Sequence, residues 1–301
     1  MNPARLKAYT LLLVVALIWG AAAPVIKFTF EGIAPLPFLA YRFLISFVLG
    51  VFALSVTKNK LPRSLKIWTG IILYSILSTT IALGFLFIGL EKTTVLNLTL
   101  ITLIAPLLIG VAGVIFLKET VTKREKIGSA IAFFGAALTV VEPVLKAGAD
   151  FGELSGNILL LVYLFSEVMS IVILKKIVKH NISAYTLSHI SFIIGFITLA
   201  PVTLLLFGPG NTINSVKTLQ PVYHAGVWYM AILSGTVAYA LRAKAQKSIE
   251  IGEAALFSYL TAIFSAPLAV LWLGEKITLQ YIIGAVVIAV GVVIAEYRSK
   301  D

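Results

Sequence analysis

The sequence predicts an all-α integral membrane protein, with ten transmembrane helices in two inverted-topology five-helix repeats. Three observations lead there. The 301 residues are 59% hydrophobic and 12% charged, against roughly 45–50% apolar and about 25% charged in a soluble domain. The apolar residues gather into runs of bilayer-crossing length, since a hydrocarbon core of about 30 Å takes about 20 helical residues. The second half of the chain also repeats motifs of the first.

The runs lie at 8–27, 35–56, 67–89, 94–117, 124–142, 154–175, 184–207, 225–246, 252–273 and 278–297. Short polar segments with turn residues separate them, among them "APLP" at 34–37, "KNKLPRS" at 58–64 and "GPGNTINS" at 208–215. The last is the longest connection, and no separate soluble domain is expected. The first run, Tyr9 to Ile26, lacks a convincing cleavage site and reads as a retained helix.

Basic residues set the orientation. With the amino terminus inside, 18 Lys and Arg fall on the cytoplasmic side and 5 outside, while Arg42 lies within the second span. That imbalance predicts both termini in the cytoplasm, in a plasma membrane of prokaryotic type. The formal net charge of +11 has the same origin. Its basic residues are scattered in short clusters, so a nucleic-acid partner is not expected. The absence of cysteine excludes disulfides and thiolate metal sites, and no metal or other cofactor is expected.

"FLKETVTKREKIGSAIAFFGAAL" starts at Phe116 and "WLGEKITLQYIIGAVVIAVGVVI" at Trp272. A shift of 156 places Glu119 on Glu275, Gly128 on Gly284 and Gly135 on Gly291. The same shift carries Ser78 to Ser234, Thr80 to Thr236 and Asn97 to Glu253, and a shift near 147 lays Arg42 on His189. The division falls into 1–147 and 148–301. Five spans is an odd number, so the second repeat enters the membrane from the opposite side, an arrangement that transporters use to alternate access to a midplane site.

These residues carry a family resemblance. "ALIWGAAAPVIK" (16–27), "FLKE" (116–119) and "WLGE" (272–275), each of the last two followed by glycine nine residues on, and the prolines of "APLL" (105–108) and "APLA" (266–269) together resemble the EamA-type branch of the drug/metabolite transporter superfamily. Lys118 stands where that pattern usually has glycine. The resemblance implies a central cavity lined by spans one, three, four, six, eight and nine, with five and ten peripheral. It also implies export or exchange of small metabolites such as amino acids.

Candidate substrate-binding residues are polar or aromatic groups that share a helix face at three- or four-residue spacing. They are Trp19 in span one, Tyr74 and Ser78 in three, Asn97 at the start of four, Tyr163 and Glu167 in six, Tyr239 in eight and Tyr259 in nine. Ser170 extends the Tyr163–Glu167 stripe, and Thr236 and Arg242 flank Tyr239 at three-residue steps. Arg242 counts here with the cytoplasmic basic residues. Glu167 lies thirteen residues past Leu154, about 20 Å along the helix axis, where a lipid-facing charge is costly. It either stays protonated as helix-to-helix glue, or exchanges a proton or binds a cationic group during a cycle. Arg42 is expected to snorkel to the interface or to form a fixed ion pair. The paired glycines 128, 135, 284 and 291 are expected to pack helices closely.

The expected function is secondary transport of a small organic metabolite, with the lipid bilayer as surroundings and protons as a possible coupling ion. A P-loop is missing, so an ATP-driven pump is not expected. Three dispersed histidines and the lack of HExxH or GxSxG disfavour an intramembrane enzyme. A passive channel or membrane scaffold remains as the alternative.

Overall fold

The computed structural model describes residues 3–56, 62, 64–92, 98, 101–102, 104–146, 154–180, 182–261, 263–264 and 279–296. The described residues form helices and no strand. In order they are α1 (Pro3–Phe30), α2 (Pro35–Val56), α3 (Leu65–Lys92), α4 (Ala105–Leu117), α5 (Lys123–Lys146), α6 (Leu154–Val178) and α7 (Ala184–Phe207), then a short unnumbered helix Pro209–Lys217, α8 (221–245), α9 (Ile251–Leu256, with a following 3-10 turn Phe257–Tyr259) and α10 (Leu279–Glu296). Helices α1, α2, α3, α6 and α7 are long and apolar enough to cross a bilayer. Their outer faces carry large apolar side chains such as Leu17, Phe52, Phe165 and Leu205, the surface that lipid requires and water penalises.

Local chemistry explains several boundaries. Before α5, Thr122 and Glu125 cap each other reciprocally: the Thr122 amide donates to Glu125 Oε2 at 2.7 Å, and the Glu125 amide to Thr122 Oγ1 at 3.2 Å. Helix α4 ends on Lys118 in a left-handed conformation, φ 56°, the position that glycine fills without strain. Glycine at Gly208, φ 77°, closes α7. There the sequence reading differs from the structure. "GPGNTINS" reads as a loop, yet Pro209–Lys217 is a short helix, started by a proline whose missing N–H costs nothing in the first turn.

Helices α3 and α8 both contain a widened π segment, Ile76–Ala82 and Ile232–Val237. The two segments begin 156 residues apart. A π turn breaks the regular ladder and releases backbone carbonyls. Neighbouring helices satisfy them. Ser166 Oγ on α6 donates to the Leu77 carbonyl at 2.9 Å, and Trp19 Nε1 on α1 donates to the Ser234 carbonyl at 2.9 Å.

Packing runs between the two halves of the chain: α1 lies against α8, α6 against α3, α2 against α7, α4 against α9 and α5 against α10. At the last contact a Cβ on Gly128 would lie 2.5 Å from the Gly291 carbonyl oxygen, and one on Gly135 would lie 2.9 Å from the Gly284 oxygen. The order of these contacts makes α5 and α10 antiparallel, and the glycines pack helices closely, as their spacing suggested.

Candidate functional site

Glu167 projects from α6 toward α8, and the Arg242 guanidinium meets it: Nη1 donates to Oε1 at 2.6 Å. Ser170, one turn on, donates from Oγ to the Glu167 carbonyl at 2.8 Å. The carboxylate is therefore held as half of an ion pair, and the two side chains are only 16% and 11% exposed. Charge-assisted bonds of this length are stronger than neutral ones, and the low dielectric around them raises the cost of losing either partner.

Aromatic groups surround the pair. The Arg242 guanidinium carbon sits 5.1 Å from the centre of the Trp19 ring, a cation–π contact. Trp19 meets Tyr239 edge-on at 5.5 Å, and Tyr239 meets Phe192 of α7 at 5.3 Å. Tyr74 is buried and Tyr163 half-buried, and both lie within electrostatic reach of Glu167 and Arg242. Ser78 is fully buried one turn beyond Tyr74, at the π segment of α3.

Six of the eight sequence candidates, Trp19, Tyr74, Ser78, Tyr163, Glu167 and Tyr239, thus lie on the helices α1, α3, α6 and α8 that bring this group together. Tyr259 does not join it. It packs with Ala132, Leu256, Ile288 and Val292 on the side of α5 and α10. Asn97 lies outside the described residues.

Two arginines read differently in three dimensions. Arg242 is no cytoplasmic surface charge; it is 9% exposed and is the counter-ion of Glu167. A lone carboxylate deep in one span demands a cation on another, and Arg242 shares a face with Tyr239, which is the signal that could have found it. Arg42 neither snorkels nor forms an ion pair among the described residues. It is 1% exposed, with Nε and Nη1 lacking hydrogen-bond partners. Its stem starts too far inside α2, and the rings of Phe43 and Phe192 close over it at 5.8 Å each.

One hollow adjoins these residues, and a second lies apart from them. A narrow cleft between α1, α8 and α9 is lined by Trp19, Arg242, Ala254, Phe257, Ser258 and Thr261, among others. A larger cavity of about 400 Å³ lies between α4, α5 and α9, with Glu119, Glu125, Glu250 and Glu253 in its lining. Its carboxylates have structural work. Glu119 accepts from the Ile251 amide at 3.0 Å, and Glu253 accepts from both Arg5 and Tyr9 of α1. Lys175 of α6 donates to the carbonyls of Gln246 and Ile249. The connection between α8 and α9 is thereby tied to α1, α4 and α6. Glu250, on that connection, is held above the ordinary carboxylate range by burial and by the nearby charges of Glu119 and Glu125.

An ion pair ringed by aromatic side chains between helices suits recognition of a small polar or zwitterionic solute. Among the described residues no cluster of His, Asp or Glu has the geometry of a metal site.

Known proteins resemble the chain over nearly its whole length. The chain is 24% identical to the "Uncharacterized transporter YyaM" of Bacillus subtilis, over 99% of this chain and 98% of that one. It is 26% identical to a "Probable amino-acid metabolite efflux pump" of Salmonella typhimurium and 25% identical to its namesake of Escherichia coli, each over 96% of this chain and 95% of the relative. A solved crystal structure shares the fold, with a TM-score of 0.75 at 17% identity over 97% of each chain. The model of the EamA-like transporter family matches twice, over residues 6–141 and 154–297. The chain is an integral membrane protein of the EamA-like transporter family.

Proposed function

We propose that this transporter is a secondary carrier of small organic metabolites, amino acids foremost, and that it exports or exchanges them by alternating access. The observation that carries the reading is the Glu167–Arg242 pair, buried among Trp19, Tyr74, Tyr163 and Tyr239 where helices from both halves meet. A solute amine can compete with Arg242 for Glu167, so binding and release can open and reclose the pair. The relatives named as amino-acid metabolite efflux pumps favour the same solute class.

In this reading the chain crosses the membrane ten times with both termini in the cytoplasm, as repeats 1–147 and 148–301 in opposite orientations. Three features support it: the two π segments 156 residues apart, the antiparallel glycine contact of α5 and α10, and the reciprocal packing of α1 on α8 and α6 on α3. Reporter fusions after Lys58, Lys146 and Asp301 test the topology; an outside signal at Asp301 defeats it.

Counterflow in proteoliposomes tests the mechanism. Labelled amino acid outside should accumulate transiently when unlabelled amino acid is inside, and Glu167→Gln should abolish this while the protein still folds. Fast flux without counterflow would mean a channel. If Glu167→Gln matches the parent in rate and pH dependence, the pair only joins α6 to α8. A proton shared with Glu167 during the cycle would appear as internal acidification or alkalinisation linked to solute flux.

A further inference from the structure

Arg42 is a buried cation that the proposed cycle leaves unused. It is fully enclosed, yet its Nε and Nη1 find no acceptor among the described residues. The ring faces of Phe43 and Phe192 lie 5.8 Å from the guanidinium carbon. They attract the positive charge, but leave its in-plane N–H donors unanswered. Among the described residues the titratable group acting on it is the Tyr239 hydroxyl, and no carboxylate does so. Buried charges in a membrane are normally paired, so a guanidinium with unanswered donors is a site for an anion that the described residues do not supply.

Its position says which anion. Arg42 lies against Phe192, Phe192 against Tyr239, Tyr239 against Trp19 and Trp19 against Arg242, in an unbroken series of contacts of 5.1–5.8 Å. The series ends at the Glu167–Arg242 pair. Beside the guanidinium stands Gly235, in the π segment of α8; a Cβ there would lie 3.5 Å from Arg42 Nη2 and 2.9 Å from the Met230 carbonyl oxygen. A side chain at 235 would crowd the guanidinium at Nη2. A buried guanidinium with unanswered donors suits a carboxylate, which brings the opposite charge and strong acceptor oxygens.

We infer that Arg42 is the carboxylate-binding residue for the transported solute, with the rings of Phe192, Tyr239 and Trp19 along the apolar body between it and the Glu167–Arg242 pair. The inference rests on the carrier reading above. Arg42 would hold the acid group while the solute's amine engages Glu167.

Three probes with the same ring separate the groups: L-phenylalanine, 3-phenylpropionate and 2-phenylethylamine. Each is titrated against the purified parent and the variants Arg42→Met and Arg42→Gln in nanodiscs, with thermal stability and equilibrium binding as readouts. The parent should be stabilised by both carboxylates. Both variants should lose about tenfold or more in affinity for them, as when a charged hydrogen-bond partner is removed, and should keep the parent's response to the amine. Arg42→Met, which removes an unpaired buried charge, should melt at or above the parent in the absence of any probe. A structural arginine would give the reverse, a lower melting temperature with unchanged probe affinity. Folded variants that bind 3-phenylpropionate like the parent overturn the assignment. So does a parent that fails to respond to either carboxylate at millimolar concentration, or one whose response disappears in anionic lipid, which would give the guanidinium to lipid phosphate. Failure of counterflow with a broad amino-acid panel would instead remove the carrier reading and leave a measured carboxylate site standing.

Discussion

Glu167 on α6 and Arg242 on α8 are joined at 2.6 Å, a contact between residues 75 apart in the chain. Each charge is tolerable because the other is there. Arg242→Met should therefore destabilise strongly, approaching the roughly 3–5 kcal/mol seen when one member of a buried pair is removed. The double variant Glu167→Gln with Arg242→Met should recover most of that loss. Thermal melts of the two singles and the double close the cycle; a double variant no better than Arg242→Met would mean that the pair is not energetically coupled.

Lys118 adopts φ 56° at the end of α4. A left-handed residue with a Cβ costs roughly 1 kcal/mol that glycine avoids. Lys118→Gly should stabilise by about 0.5–1 kcal/mol and leave solute binding unchanged. An unchanged or lower melting temperature would show that the lysine side chain compensates its backbone.

Gly128 and Gly291 leave no room between α5 and α10, since a Cβ on either would fall 2.5 Å from backbone of the other helix. Gly128→Val or Gly291→Val should destabilise by about 1–3 kcal/mol through overpacking. Gly110, whose added Cβ would meet nothing within 4 Å, is the control. Gly110→Ala should be neutral or mildly stabilising by helix propensity, and comparison of folded yield and melting temperature decides.

Glu250 binds its proton more tightly in the folded protein, because burial and the Glu119 and Glu125 charges raise its carboxyl. Its contribution to stability is complete below the unfolded pKa and is lost as pH rises through the folded one. Melting temperature should thus fall as pH climbs through the mildly acidic range. Glu250→Gln should flatten that part of the profile and be at least as stable at neutral pH. The side chain is half-exposed, so screening should hold the effect below about 1 kcal/mol. A profile identical to the parent's would remove Glu250 from the titration.

Much of the helical fold was legible because lipid imposes a strict grammar of apolar runs and short polar breaks. The glycines at 128, 135, 284 and 291 announced a close contact by their spacing, and α5 and α10 make it. The π segments were not legible. Ser and Thr in "ILSTTIA" and "ILSGTV" bond local carbonyls in ordinary helices too, so composition does not mark the extra residue in the turn. For the site, faces could be read but partners could not. Helical spacing put Tyr74, Tyr163, Glu167 and Tyr239 on shared faces, and the structure brings those faces together. Arg242 was counted with the cytoplasmic basic residues because its nearness to the end of α8 hid its partner on α6. Tyr259 was misleading, since its helix also has a face toward α5 and α10.

The glycine contact has a mechanical consequence. A seam of backbone atoms has no rotamers to rearrange and no long side chains to interlock. It can turn as a bearing but cannot reshape as a gear does, so any rotation of α5 against α10 would pivot about that line. The charged and aromatic residues around Glu167 lie on other helices, away from the axle, where a small rotation produces the largest displacement.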